Sequence, residues 1–115
     1  MSRVFISGLG AVSPAGWGKE ALFRALDGGA LSAPQPLERP GWTRPLSVRR
    51  VPPAIPRPPW AAHARMRRSS LISQFALGAA KEALGDRAEG SLGIVFCTTC
   101  GGVNYSRRFY DEVLR

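Results

Sequence analysis

The sequence predicts an α/β domain with parallel strands. Two short runs, residues 3–7 and 92–97, are apolar and rich in β-branched and aromatic residues, as buried strands are. Helical apolar spacing follows the first run and precedes the second. The resulting order is strand, helix, long connection, helix, strand, helix. Alternation of this kind places helical crossovers between parallel strands.

The first element is "RVFIS", residues 3–7, which stops at Gly8. "GLGAVSPAGWG" follows as a glycine-rich turn. Residues 19–27, "KEALFRALD", set Leu22, Phe23 and Leu26 on one helical face, and Gly28 and Gly29 supply the stop. Residues 30–64 hold nine of the ten prolines and no sustained periodicity, so they read as a long irregular connection with an edge strand near Leu46 to Val48. A connection of that length is functional or belongs to a larger structure.

Order returns at Ser69. In "SSLISQFALGAAKEALGD", Leu71, Phe75, Ala79 and Ala83 recur in steps of four, with Ile72, Ala76, Ala80 and Leu84 beside them. That wide, alanine-rich stripe predicts a helix packed on more than one side, capped by Ser69 or Ser70 and ended by Gly85. "SLGIVFC" is uninterrupted from Leu92 to Cys97, as a strand buried on both faces would be. "TTCGGV" is its turn. Asn104 is the expected cap of a last helix with Tyr105, Phe109 and Val113 along one stripe. No glycine or proline terminates that helix before Arg115, which reads as a cut through it. Two long strands cannot cover a sheet, so the chain reads as the opening part of a larger α/β domain.

Composition narrows the function. At 115 residues there is room for one domain with one modest core. Net charge is +8, and all of the excess lies between Arg39 and Arg68, where eight arginines stand with no acid among them. Arginine grips carboxylate and phosphate in a bidentate manner, which fits an acidic partner. A solvated loop explains the same residues. Few aromatic residues are interleaved with the arginines, Trp42 and Trp60 aside, so nucleic acid is not the expected partner. No apolar run reaches the ~18 residues of a membrane span. The short run after Arg3 is broken by Gly8 and Gly10, so no signal peptide is expected and a cytoplasmic location is.

Two motifs invite chemistry. Gly8 and Gly10 follow a strand as in a dinucleotide-binding turn, but Ser13 occupies the third glycine position and the helix starts only near Gly18. A pyrophosphate needs that helix N-terminus at the turn itself, so nucleotide binding is not expected. Cys97 and Cys100 form a C-x-x-C pair ahead of Gly101 and Gly102. A redox pair sits at a helix N-terminus, whereas here the first cysteine ends a strand. A zinc site needs two further ligands, and His63 is the one histidine of the chain. Neither metal nor cofactor is expected. Cys97 reads as a small buried apolar residue.

Three blocks then carry a family resemblance. "VFISGLGAVSPAGWGKEALFRALDGG" resembles the amino-terminal signature of β-ketoacyl-acyl-carrier-protein synthases, through Gly8, Gly10, Val12, Ser13, Pro14 and Gly16. "RMRRSSLISQFALGAAKEAL" is similar to a helix of that family, and "LGIVFCTTCGGV" to its strand and Gly-Gly turn. The resemblance spans most of the chain outside residues 30–64. It implies that residues 1–115 are the amino-terminal part of a ketosynthase domain of thiolase-like fold, with 30–64 as a variable Pro/Arg-rich loop. The family's reaction is a decarboxylative Claisen condensation in fatty-acid or polyketide synthesis, on an acyl group held as a cysteine thioester. The family's nucleophilic cysteine and later histidines have no counterpart here, and His63 matches no catalytic position. The resemblance therefore implies no activity for this chain alone. It also implies an acyl carrier protein and an acyl thioester as partners of the complete enzyme, and a homodimer or heterodimer of ketosynthase type. Thr99 and Cys100 become acyl-pocket candidates, because a larger apolar residue gates that pocket in elongating synthases at the position of Cys100. The other implied role is a non-catalytic interaction module pairing with a complete synthase or a carrier protein.

Overall fold

The computed structural model describes residues 2–87, 90–99 and 101–114. In chain order its elements are β1 (Val12–Ser13), β2 (Gly16–Trp17), α1 (Lys19–Leu26), β3 (Gln35–Leu37), β4 (Leu46–Val48), a 3-10 turn at Pro59–Ala62, α2 (Ala64–Arg67), α3 (Leu71–Leu84) and α4 (Val103–Val113). Strands of the described residues pair only as two antiparallel ribbons, β1 with β2 and β3 with β4. The expected parallel sheet is absent from them, and the thiolase-like α/β architecture implied by the resemblance is not supported.

The reason lies in what strands need. Residues 3–7 and 92–97 have strand-forming side chains but no ladder. Among the described residues, neither run makes a backbone hydrogen bond. Val4, Phe5 and Ile6 are 94%, 77% and 85% exposed, and Ile94 and Val95 are 85% and 92% exposed. β-Propensity reports fit to a pleated, half-buried surface, and that surface is missing here.

The glycine-rich turn folds instead into the β1–β2 hairpin, with Val12 opposite Trp17 and Ser13 opposite Gly16 across Pro14–Ala15. Ala15 N–H donates to Ser13 Oγ at 3.2 Å, and Gly18 N–H donates to the Ala11 carbonyl at 2.8 Å. Gly16 and Gly18 have φ of 140° and 91°, a region side chains disfavour. α1 then runs to its glycine stop, where Gly29 N–H closes on the Arg24 carbonyl at 2.9 Å. Of its apolar residues, Ala21, Leu22 and Ala25 are half-buried, whereas Phe23 and Leu26 face solvent.

The proline-rich connection is more ordered than its composition suggests. β4 coincides with the expected edge strand, and β3 pairs with it so that Leu37 faces Leu46. Pro36 is tolerated because a two-stranded ribbon leaves each strand one free edge. α3 matches its expected bounds: Ser70 Oγ accepts from Ser73 N–H at 3.3 Å, and Gly85 follows at the C-cap. The expected packing on more than one side is reached only in part, because none of its residues is fully buried. Residues 8–10 lie directly on its backbone. A Cβ added at Gly8 or Gly10 would run into the carbonyl oxygen of Ala83 or Ala79.

α4 begins one residue before the expected cap, so Asn104 lies inside the helix and Gly102 occupies the N-cap. The Tyr105 side chain lies outside the described residues. Phe109, Tyr110 and Val113 are all at least 60% exposed. Exposed i,i+4 ion pairs, Arg107–Asp111 at 3.9 Å and Arg108–Glu112 at 3.4 Å, run along the same helix.

Ala61 is the one buried apolar residue among those described. The accessible surface is 10278 Å², against roughly 6,100 Å² for a folded monomer of this mass. The radius of gyration is 17.4 Å, against about 13 Å for a compact chain of this length. The chain thus leaves about 4,000 Å² uncovered that a self-sufficient domain would bury.

Candidate functional site

The structured centre of the molecule gathers on one face of α3. Trp17, at the end of the hairpin, lies 5.7 Å from the Phe75 ring in an edge arrangement and 6.3 Å from Trp60. Its indole N–H donates to the Pro52 carbonyl at 2.8 Å, which pins the proline-rich connection to the hairpin. Gly78 is the glycine of α3 that admits this ring, since a Cβ there would strike it. The result is an aromatic joint between β2, the 3-10 turn and α3.

Glu82 supplies the polar counterpart. Its carboxylate accepts from Ala11 N–H at 3.0 Å and from Lys19 N–H at 2.9 and 3.1 Å. Lys19 opens α1, and the residue before it, Gly18, has no side chain to cap with. A carboxylate from α3 therefore satisfies the N-terminus of α1 in place of a local cap, where the helix dipole also favours negative charge. These contacts position and hold. They bring no nucleophile beside a base.

The expected site residues lie elsewhere. Thr99 is exposed. Cys100 lies outside the described residues, as does the question of its pairing with Cys97. Cys97, expected to be buried in a sheet, is exposed. With Phe96 and Thr98 it borders a shallow crevice over α3 at Val12, Ile72, Phe75 and Ala79. Its burial required the missing parallel sheet. Thr98 Oγ1 accepts from Gly101 N–H at 2.9 Å, which tightens the turn. His63 is a loop residue, as expected: its Nδ1 accepts from Arg65 N–H at 3.2 Å at the start of α2. Among the described residues, no three His, Cys, Asp or Glu side chains gather as a metal site would need.

All eight arginines between Arg39 and Arg68 are exposed. Arg49 Nε donates to the Ser32 carbonyl at 3.1 Å, and Arg57 Nη2 donates to that of Ala61 at 2.9 Å. The Arg39 guanidinium lies 6.0 Å from the Trp42 ring. The two ion pairs found among the described residues are both in α4, so this segment presents uncompensated positive charge.

Sequence reasoning missed Trp17 and Glu82. Signals for both existed. Trp17 is an aromatic residue held between Gly16 and Gly18, and Glu82 falls seven residues after Phe75 on the packed stripe of α3. No helix of the described residues is long and apolar enough to cross a membrane. Compared with protein-family models, with curated proteins and with solved structures, the chain matches none.

Proposed function

We propose that this chain is a non-catalytic interaction module that docks on a condensing enzyme of the β-ketoacyl synthase type. The observation that carries the reading is the exposure of Val4, Phe5, Ile6, Ile94, Val95 and Phe96, two runs that form no ladder among the described residues. Runs of this kind are completed by backbone pairing and apolar burial against another polypeptide.

The three-block sequence resemblance supports a condensing enzyme as the polypeptide that receives them. The chain contributes no acyl-bearing cysteine and base pair. Acyl transfer and decarboxylation belong to the enzyme it joins. The arginine segment 39–68 fits the acidic surface of an acyl carrier protein delivered to that assembly.

Sedimentation of the chain with a complete β-ketoacyl synthase from the same source tests this. A stable complex is expected, lost when Val4 and Val95 are replaced by lysine. Condensation assays with a malonyl-carrier thioester should show no turnover by the chain alone. Turnover by the purified chain, or no complex with the synthase, would overturn the reading.

A further inference from the structure

Between α3 and the proline-rich connection lies a cleft of about 410 Å³. Trp17, Trp60, Phe75 and Leu71 supply apolar walls, and Arg57 and Gln74 are its polar side chains. None of its lining residues belongs to the exposed runs that carry the proposed function. A volume of this size falls in the range of small-molecule sites.

The walls are fixed by one bond already described and by two more. The Trp17 indole N–H is committed to the Pro52 carbonyl. Gln74 Nε2 is committed to the carbonyls of Met66 and Ser69, at 3.2 and 3.3 Å. Pro52, Pro53 and Pro58 line the opposite side with fixed φ. A cleft with stiff aromatic and proline walls loses little freedom on binding.

Charge decides the ligand class. Aromatic walls by themselves attract cations. Among the described residues no Asp or Glu lines this cleft, however, and Arg57 does. One N–H of Arg57 is used on the Ala61 carbonyl, and its guanidinium carries five donors. The neighbouring arginines add a positive field that draws anions. We infer that the cleft binds a small amphipathic carboxylate, its apolar body between Trp17, Trp60 and Phe75 and its carboxylate on Arg57.

Three matched probes test this on the full chain: 3-phenylpropionate, 3-phenylpropanol and 3-phenylpropyl-trimethylammonium. The indole N–H resonances of Trp17, Trp60 and Trp42 report binding, and Trp42 serves as an internal control because it lies on Arg39 outside the cleft. For a body of about eleven non-hydrogen atoms, 3-phenylpropionate should bind with a low-millimolar Kd. It should shift Trp17 and Trp60 but not Trp42. The alcohol should bind about tenfold more weakly for want of a charge-assisted bond, and the cation more weakly still. Arg57→Gln, an exposed change, should bring acid and alcohol to equal affinity, whereas Arg44→Gln should leave the preference intact. Equal binding of acid and alcohol to the unchanged protein, equal shifts at Trp42, or indifference to Arg57→Gln would each overturn the assignment, as would the absence of any binding.

Discussion

The joint around Trp17 and the runs at 3–7 and 92–97 are both built on apolar side chains and have opposite fates. At the joint, hairpin, α1, α3 and the proline-rich connection satisfy one another. Glu82 closes the N-terminus of α1, and Trp17 reaches both Phe75 and Pro52. In the second region, Val4–Ile6, Ile94–Phe96 and, on α4, Phe109, Tyr110 and Val113 are left to solvent. The difference teaches that hydrophobicity alone does not make a core. The first region has partners within reach of turns and caps, and the second needs a surface that this chain does not provide.

Substitutions should separate the two regions, the joint first. Trp17→Ala removes the shared ring and should destabilise the chain by about 3 kcal/mol, measured by urea unfolding followed through Trp60 fluorescence. Glu82→Ala leaves two N–H groups without their acceptor and should cost roughly 2 kcal/mol, with Glu82→Gln recovering part of it. Equal stability of Glu82→Ala and the parent would remove the long-range cap from the account. Ser70→Ala, at the cap of α3, should cost about 1 kcal/mol in the same measurement. In the other region, Val4→Lys and Val95→Lys should each change the stability of the isolated chain by no more than about 0.5 kcal/mol. The same two changes should reduce its self-association, because exposed unpaired apolar runs promote aggregation. A large loss of stability from either lysine would mean that these runs are already packed.

What the sequence made legible follows the same division. Ser70, Gly85 and the Gly28–Gly29 stop are local devices, acting within a turn of the helices they bound, and the structure places them as expected. The strand at Leu46–Val48 was legible from its residues, but its partner at Gln35–Leu37 was hidden by Pro36. Propensity predicts strands at 3–7 and 92–97 but cannot say whether a ladder partner exists. Trp17 and Glu82 work through contacts 35 to 71 residues away in sequence, beyond any local pattern. Of the candidate site, Thr99 was placed by resemblance alone, and the structure leaves it in solvent.

Amide hydrogen exchange, read residue by residue with and without the complete synthase, shows whether the two exposed runs gain a ladder on docking. Fast exchange is expected at Val4–Ile6 and Ile94–Phe96 in the monomeric chain. Slowing there by orders of magnitude is expected in the complex, while α3 is protected in both states. Protection of those six amides in the monomer alone would contradict this, by showing that the chain completes its own sheet.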